Sequence, residues 1–394
     1  MKGRSLLFLA PGDVRKARVE PISWMRTCES FAARGLAVEL QTLRMAYPDG
    51  VEMSEIWSHF GVAPEFRVRA FPTPMKRDAS SSQFRLWATL AAARTVPRSL
   101  AAAVRSPQRP VVYSRSPIML APYAALAAAT KKRRPLLVHE THTMPPVNAH
   151  AVVGRADLIV TNSTALAEEV REVLALAPRQ VLAAPLPPYA HVQDTAKADA
   201  RSALGLPADA PLGCYTGKML DDEWPFLFEV AREARRRRPG FRLLLVGGNP
   251  DVVERMHARR DAEGLTDTVD PVGFVDPEQV ALYQAAADVL VLHMADSSPK
   301  LAYCTPAKAY DYQAAGRPIV SRDLPLFGEV FGADGERALR VAESTPAAFA
   351  TQIERALTLP DGGAAMTERA RAAMAGRTWQ SRTDLILQAV EERT

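Results

Sequence analysis

Short apolar runs alternate with longer segments of helical apolar spacing along this chain. The first run, SLLFL, ends at a Pro-Gly turn, and the helical segment that follows it closes at Gly35. A second apolar run, LAVELQTL, then predicts the next strand. A strand, a helix and a strand in this order form a β-α-β unit, the building block of a parallel sheet covered by helices. PVVYS, PLLVHE and DLIVTN continue the alternation.

A proline-rich stretch without regular periodicity, from APLPPYAHVQD to GLPADAP, interrupts this pattern and is typical of a linker. The alternation restarts at LGCYTGK and continues through FRLLLVGG, VDPVGFV, DVLVLHM and RPIVSRD. The sequence therefore predicts an α/β protein with two Rossmann-like doubly wound domains, at residues 1–190 and 200–375, and a final amphipathic helix within 376–394. Ligands of such sheets bind at the carboxyl ends of the strands.

Composition indicates a globular protein rather than a disordered one. The 394 residues are 47% hydrophobic and 24% charged, and the three cysteines form no Cys-x-x-Cys pair. Neither a disulfide framework nor a thiolate zinc site is expected, and a reducing cytoplasm fits. The first residues lack the features of a signal peptide, and no apolar run is long enough to span a membrane. We therefore expect a cytoplasmic protein.

The charge is divided unevenly along the chain. Residues 1–190 hold 25 Lys and Arg against 14 Asp and Glu, whereas residues 191–394 hold 24 against 30. This division suggests an anionic partner for the first half, although Arg enrichment through codon usage gives similar numbers. Nucleic acid is not expected as that partner, because aromatic residues do not interleave the basic ones and no known motif is present.

One basic segment, RLWATLAAARTVPRSLAAAVR, has two interpretations. Its arginines stand among apolar residues, so the segment could lie on an anionic membrane or hold an anionic acceptor. The interpretation that we favour is a packed helix with a solvated basic face. The arginines concerned are Arg85, Arg94, Arg98 and Arg105.

The stretch TPAKAYDYQAAGRPIV predicts a helix followed directly by a strand. Thr305 is a suitable N-cap, a proline stands where the first helical turn tolerates it, and Gly316 is the natural end. Lys308 then falls in the first turn, where the helix dipole disfavours a cation unless an anion is close. The segment therefore predicts an anion beside Lys308.

Four pieces of the second half, in the same order, resemble the nucleotide-sugar domain of retaining GT-B glycosyltransferases, most closely glycosyltransferase family 4. These pieces are YTGKM, FRLLLVGGNPD, VDPVGFVDPEQVALYQAAADVLVL and AKAYDYQAAGRPIVSRD. The resemblance implies a GT-B fold, with two domains facing across a cleft and the C-terminal helix packed on the first domain. It also implies transfer of a sugar from a nucleoside diphosphate donor to an acceptor hydroxyl, without a metal or another cofactor.

The resemblance also implies a donor site. Lys308 and Lys218 would neutralise the diphosphate, helped by the N-terminus of the helix that starts near Thr305. Asp311 would accept hydrogen bonds from the ribose hydroxyls. The backbone around Gly273, Phe274 and Val275 would meet the base, and Gly12, in the turn after the first strand, would let the backbone approach the donor phosphate or the acceptor.

Three positions depart from the family pattern. Tyr303 stands at the position of the first of two glutamates, Lys218 replaces an arginine, and Glu223 replaces a lysine. Two other functions stay open, and the departures at Tyr303 and Glu223 support the second of them. One is a nucleotide-sugar 2-epimerase, which would need no acceptor groove, and the other is a non-catalytic nucleotide-sugar-binding protein.

In the first half, LLVHETHTMPP places three polar residues after a predicted strand, in a region where the family commonly has a histidine against the donor sugar and the acceptor. We predict His142 as a catalytic residue, Glu140 as its orienter or as an acceptor contact, and His139 on the acceptor side. Arg115, after another strand, is also assigned to the acceptor side. The histidines could instead cap a loop. A metal site is not predicted, because no third histidine has suitable spacing.

Overall fold

The structure is a computed structural model that describes residues 3–15, 19–45, 50–76, 79–127, 134–189, 195–297, 301–332 and 335–393. The chain forms two compact units. Unit 1 comprises Met1–Pro185 together with Thr378–Thr394, and unit 2 comprises Leu186–Arg377.

Unit 1 contains a seven-stranded sheet whose neighbouring strands are all parallel, in the order β3-β2-β1-β4-β5-β6-β7. The order reverses between β1 and β4, and such a switch point opens a crevice at the carboxyl ends of the two strands. The strands are β1 (Ser5–Leu9), β2 (Ala37–Arg44), β3 (Arg67–Pro72), β4 (Val111–Ser114), β5 (Leu136–Thr141), β6 (Leu158–Thr161) and β7 (Val181–Ala183).

Helices cover both faces of this sheet, which is why its central strands are buried on both sides. The helices of residues 3–173 are α1 (Val19–Ala33), α2 (Ile56–Phe60), α3 (Ser81–Ala93), α4 (Val96–Arg105), α5 (Pro117–Ala127), α6 (His150–Val153) and α7 (Thr164–Val173). The C-terminal helix α16 (Trp379–Glu391) also belongs to unit 1 and packs on α1. There the hydroxyl of Ser30 donates to that of Thr383 at 2.7 Å.

Unit 2 contains a six-stranded parallel sheet in the order β10-β9-β8-β11-β12-β13, with its switch point between β8 and β11. The strands are β8 (Leu212–Gly217), β9 (Arg242–Gly247), β10 (Val269–Gly273), β11 (Val289–Leu292), β12 (Ile319–Arg322) and β13 (Leu339–Val341). The helices are α8 (Lys197–Ala203), α9 (Trp224–Arg237), α10 (Pro250–Ala262), α11 (Pro277–Ala286), α12 (Lys308–Ala315), α13 (Leu326–Phe331), α14 (Pro346–Leu357) and α15 (Ala364–Met374).

These observations confirm the predicted fold class, two Rossmann-like doubly wound α/β sheets. The predicted end of the helix at Gly316 is also confirmed, because Gly316 has φ 65° and caps α12 in the left-handed conformation. None of the helices in the described ranges is long and apolar enough to cross a membrane.

The stretch interpreted as a linker contains a helix, α8, whose Arg201 donates to Asp288 at 2.7 Å, while residues 190–194 of that stretch lie outside the described residues. The predicted N-cap of α12 is wrong. Helix α12 begins at Lys308 with Ala307 as N-cap, so Thr305 does not cap it. The chain enters this helix through a tighter turn, in which the amide of Ala309 donates to the carbonyl of Pro306 at 3.0 Å.

The basic segment interpreted as one helix is broken into α3 and α4, and its Arg98 pairs with Glu39. Three apolar side chains of these helices are exposed, namely Leu86, Leu90 and Val104. Contact of this segment with a membrane stays a prediction.

Candidate active site

Lys308 lies at the switch point of unit 2. It is the first residue of α12, which follows β11, and its ammonium group approaches the end of β8 so closely that a Cβ on Gly217 would be 2.8 Å from Nζ. Its side chain donates to the hydroxyl of Tyr215 at 2.5 Å, and among the described residues it forms no ion pair. A half-buried cation at a helix N-terminus with no carboxylate partner is arranged to bind an anion.

Tyr215 and Glu223 form the surroundings of this ammonium group. The hydroxyl of Tyr215 donates to Glu223 at 2.7 Å, and Lys308 Nζ also lies 3.8 Å from the centre of the Tyr215 ring. Burial lowers the pKa of Lys308 to about 8, although Glu223 acts in the opposite direction. Burial and the nearby carboxylate of Glu223 raise the pKa of Tyr215 well above its ordinary value, so Tyr215 stays a neutral donor.

The glycines at the ends of β8 and β9 allow these two strands to approach each other closely beside Lys308. Gly247 has φ 118°, and a Cβ on it would lie 2.0 Å from the carbonyl oxygen of Gly217. Only glycine fits such a position. Lys218, the next residue after β8, has an exposed side chain without a partner among the described residues.

The segment after β10 exposes one aromatic ring. Gly273 ends the strand with φ 86°, and the side chain of Phe274 is 49% exposed, while Val275 is half-buried. An exposed ring at the carboxyl edge of a parallel sheet offers a stacking surface to a planar ligand. The assignment of these three residues to the base stays a prediction.

Two further donor-site residues are buried. Asp311 accepts a hydrogen bond from the amide of Tyr189 at 2.6 Å, so one of its oxygens is engaged within unit 2. Thr305 is also buried and lies before the helix rather than in it. Their contacts with a donor stay predictions.

His293, which follows β11 at the same switch point, was not predicted as a site residue from the sequence. It is 3% exposed, stacks on Phe226 at 4.1 Å, and its Nδ1 has no partner in the part of the chain that is described. Burial, followed by the charges of Lys308 and Arg322, lowers the pKa of His293 to about 4, so the ring is neutral near pH 7. It adds no second cation beside Lys308.

In unit 1, Arg115 lies at the switch point between β1 and β4. It follows β4 directly, its side chain is 19% exposed, and its Nη1 donates to the hydroxyl of Ser23 at 3.2 Å. Its Nη2 lies 2.7 Å from Nδ1 of His142. The other ring nitrogen of His142, Nε2, lies 2.6 Å from Oε1 of Glu140.

Glu140 lies at the centre of a buried group that we call the Glu140 cluster, which consists of Tyr113, Glu140, His142 and Arg382. The carboxylate is 1% exposed. It accepts a hydrogen bond from the hydroxyl of Tyr113, and Nη2 of Arg382 lies 3.1 Å from its Oε1. Arg382 comes from the C-terminal helix α16, and its Nε donates to the carbonyl of Ala184 at 3.0 Å.

The charges of the Glu140 cluster compensate one another. Burial alone would raise the pKa of Glu140, but Arg382, His142 and Arg115 together hold it well below its ordinary value. Burial, followed by the charge of Arg115, lowers the pKa of His142 to about 4. Glu140 is therefore an anion and His142 a neutral imidazole near pH 7.

Two predictions about unit 1 need correction. Strand β5 extends through Thr141, so His139 and Glu140 lie within the strand and not after it. His139 is 1% exposed, its Nδ1 lies 3.2 Å from the carbonyl oxygen of Ser114, and burial lowers its pKa to about 4. It cannot contact an acceptor from this position. Glu140 is likewise too deeply buried to do so.

Packing alone accounts for a glycine at position 12. A Cβ at this position would lie 2.9 Å from the ring of Trp24, and its carbonyl accepts hydrogen bonds from Thr42 and Leu43. The contact of Gly12 with a donor or an acceptor stays a prediction.

The sequence did not lead us to predict Tyr113 or Arg382 as site residues. Only Arg382 has a sequence feature that could have indicated its role. It stands three residues after Trp379 and four before Ile386, on the apolar face of the last helix. A cation on that face is buried and must find a partner.

A cavity of about 450 Å³ lies at the carboxyl ends of β2 and β3 in unit 1. Met45, Phe84 and Ile118 form its apolar wall, and Lys76 and Arg85 line it with positive charge. The side chains of these two cations form no ion pair with the described residues. The cavity is suited to an anionic ligand with an apolar or ring-like body.

No group of three or more His, Cys, Asp or Glu side chains that could hold a metal ion occurs among the described residues.

Comparison with known proteins defines the class. Residues 210–358 match the family model described as glycosyl transferases group 1. D-inositol 3-phosphate glycosyltransferase of Kineococcus radiotolerans is 26% identical over 302 residues, which cover 65% of this chain and 67% of the relative. The enzyme of the same name from Saccharomonospora viridis is 26% identical over 288 residues, 65% of this chain and 64% of the relative.

Solved structures extend the likeness over the whole chain. Sucrose-phosphate synthase from Thermosynechococcus elongatus superimposes with a TM-score of 0.71 at 19% identity, covering 99% of both chains. Anabaena HepE in complex with UDP-glucose superimposes with a TM-score of 0.66 at 16% identity, covering 98% of both chains. The fold is therefore that of the GT-B glycosyltransferases. The protein is a glycosyltransferase, with a group 1 glycosyl transferase domain in unit 2.

Proposed function

We propose that the protein is a retaining glycosyltransferase that moves a sugar from a nucleoside diphosphate donor to a hydroxyl of an anionic acceptor. The observation that carries the proposal is Lys308, a half-buried ammonium group without an ion-pair partner among the described residues, at the N-terminus of α12 and at the switch point of unit 2. A diphosphate supplies the anion that this position requires.

In the proposed complex, Lys308 and Lys218 neutralise the diphosphate, and the segment at Gly273 and Phe274 meets the base. One structural neighbour, Anabaena HepE, was solved in complex with UDP-glucose, which is a nucleoside diphosphate sugar. Asp311, in the first turn of α12, is assigned to the ribose hydroxyls.

The proposed chemistry proceeds on the front face of the sugar. The bond from the anomeric carbon to the diphosphate breaks, the acceptor oxygen bonds to the same face, and the leaving diphosphate takes the proton of the acceptor hydroxyl. Lys308 and Lys218 stabilise the negative charge that develops on the diphosphate, which is where a preorganised cation contributes most to the rate.

The first test is a thermal-shift screen of nucleoside diphosphate sugars with the full chain, followed by NMR of the product. Donor hydrolysis or transfer with an α-linked product from an α-linked donor is expected. Conversion of the donor to its 2-epimer would establish the epimerase instead, and binding without any turnover would establish the non-catalytic protein.

The pKa of Lys308 predicts how donor affinity changes with pH. In the free protein this pKa is lowered to about 8, and a bound diphosphate raises it, so binding takes up a proton above pH 8. We expect the affinity for a UDP-sugar to be constant below pH 8 and to fall by up to about tenfold per pH unit as the pH rises through this value. Calorimetry between pH 7 and pH 9 measures it. The Lys308→Met variant should show no such dependence, and an equally steep fall in that variant would contradict the assignment.

The acceptor is proposed to carry a phosphate. The cavity beside β2 and β3 presents the cations of Lys76 and Arg85, and the relatives named above act, by their name, on D-inositol 3-phosphate. Phosphate contacts from Lys and Arg are charge-assisted and among the stronger hydrogen bonds. A phosphorylated polyol fits both observations.

This acceptor assignment predicts a selective effect of charge removal. Lys76→Met and Arg85→Met should each raise KM for a phosphorylated polyol acceptor by roughly tenfold, with the KM of the donor unchanged, because a charge-assisted contact is worth about 1.5–3 kcal/mol. Arg105→Met, another exposed arginine of unit 1 outside the cavity, is the control. Equal effects of all three variants would indicate a general charge effect and would contradict the assignment.

A further inference from the structure

The protonation of His142 follows from its neighbours. An arginine can only donate, so Nδ1 of His142, at 2.7 Å from Arg115, accepts and carries no proton. The proton of the neutral ring is therefore on Nε2, which donates to Glu140 at 2.6 Å. Both nitrogens are engaged inside unit 1. The imidazole has no free nitrogen for a substrate in this arrangement.

Arg115, in contrast, has N–H groups that are not engaged by any described residue. Of its five N–H groups, one is engaged by Ser23 and one by His142, while the Nε group lies 3.9 Å from Glu140, beyond hydrogen-bond distance. The others have no acceptor among the described residues. Arg115 is also partly exposed and follows β4 at the switch point. Arg115 is therefore the residue of this arrangement that can donate hydrogen bonds to a ligand.

A single chain of contacts leads from the C-terminal helix to Arg115. Arg382 sets the charge of Glu140, Glu140 fixes the Nε2–H form of His142, and that form turns the lone pair of Nδ1 toward Arg115. If His142 were protonated, Nδ1 would become a donor and would repel the guanidinium group. The position of Arg115 therefore depends on His142 being neutral.

We propose that Arg115 is the residue of this region that contacts a substrate oxyanion, and that Arg382, Glu140 and His142 are positioning residues that act through it. The inference deepens the proposed function, because it names Arg115 rather than the histidine as the group that binds substrate. The ligand is an oxyanion, either the acceptor phosphate or the donor diphosphate, and the experiments below separate the two.

The first experiment examines the wild-type chain by ¹⁵N NMR of labelled histidine. His142→Gln identifies the His142 resonances among those of the seven histidines. We expect Nδ1 to have the chemical shift of an unprotonated nitrogen and Nε2 that of a protonated one at pH 7, with no titration down to about pH 5. A protonated Nδ1 at pH 7 would overturn the proposal, and this result requires no assay of enzyme activity.

The second experiment removes the charge of the C-terminal helix. The charged groups around His142 are Glu140, Arg115 and Arg382, with Tyr113 and His139 nearby in the same region. Loss of the positive charge of Arg382 favours the imidazolium, so Arg382→Met should raise the pKa of His142 by roughly one unit or more. Arg382→Lys, which keeps the charge, should retain most of the low value.

Asp384→Asn on the same helix is the matched control. Asp384 forms an exposed ion pair with Arg34 at 2.5 Å and does not reach the Glu140 cluster, so its loss tests the docking of α16 alone. The control should leave the titration of His142 unchanged. An unchanged titration in Arg382→Met, or an equal change in the control, would overturn the role of Arg382.

The third experiment identifies the oxyanion. UDP-glucose and D-inositol 3-phosphate are titrated separately into wild type and Arg115→Met, with the Nδ1 resonance of His142 as the reporter. We expect one of the two to move this resonance in wild type, which names donor or acceptor as the source, and its affinity to fall roughly tenfold in Arg115→Met. If thermal shifts show that both compounds bind and neither moves the resonance, the role of Arg115 is overturned and the proposed function stands.

Discussion

Replacing Lys308 with methionine should weaken the binding of a nucleoside diphosphate roughly ten- to hundredfold, which corresponds to about 1.5–3 kcal/mol. Methionine keeps the unbranched apolar stem but removes the ammonium group at the N-terminus of α12. The loss is large because this group has no ion-pair partner among the described residues that would have to be given up on binding. Calorimetry with UDP and with uridine separates the phosphate contribution, since uridine binding should hardly change.

Lys197→Met is the matched control for this experiment. Lys197 also belongs to unit 2 and carries the same charge, but its ammonium group already pairs with Asp288 at 2.7 Å. Its replacement should leave UDP affinity within about twofold of wild type, because partly exposed ion pairs contribute little. Equal losses for UDP and uridine in Lys308→Met would remove Lys308 from the diphosphate site.

Gly247→Ala should destabilise unit 2 by roughly 3 kcal/mol or more. The added Cβ would stand 2.0 Å from the carbonyl oxygen of Gly217, and the residue would have to keep φ 118°, so a steric clash adds to a strained backbone. Neither atom can move freely, because both lie at the ends of paired strands. Hydrogen exchange of β8 and β9, measured by mass spectrometry, should accelerate by about a hundredfold in both strands.

Gly264→Ala provides the comparison for the backbone contribution. Gly264 has φ 63° and open space around the position of a Cβ, so its replacement carries the conformational cost alone, about 1–2 kcal/mol. If the two variants lose the same stability, the close approach of β8 and β9 does not contribute, and the expectation for Gly247 fails.

The fold was predictable because periodicity reports it directly. Parallel strands buried on both faces appear as continuous apolar runs, and Gly35 and Gly316 mark helix ends in the left-handed region. Helix α8 was missed because proline and alanine around it conceal its period. Its anchor, the pair of Arg201 with Asp288, joins positions that are 87 residues apart, which no local pattern shows.

The candidate site was only partly predictable. Lys308 stood out because its position in a helix conflicts with the dipole, and this conflict is local. The surroundings of Glu140 are not local, since Tyr113, His142 and Arg382 come from β4, the segment after β5, and the last helix. A sequence shows that a strand contains a carboxylate but not which distant cation compensates it. For that reason His142 was predicted as a catalytic residue, although Arg115 and Glu140 engage both of its ring nitrogens.

The return of the chain to unit 1 at Thr378 has a consequence for biosynthesis. Unit 2 is continuous in sequence, whereas unit 1 is closed by a segment that the ribosome delivers some 190 residues after Pro185. Until that segment emerges, the nascent first unit contains Glu140 without the guanidinium of Arg382 and a surface of α1 without its covering helix. Unit 2 is therefore free to fold while unit 1 is still incomplete. A chaperone that recognises exposed apolar surface should bind the nascent chain up to the last helix and release it when α16 docks.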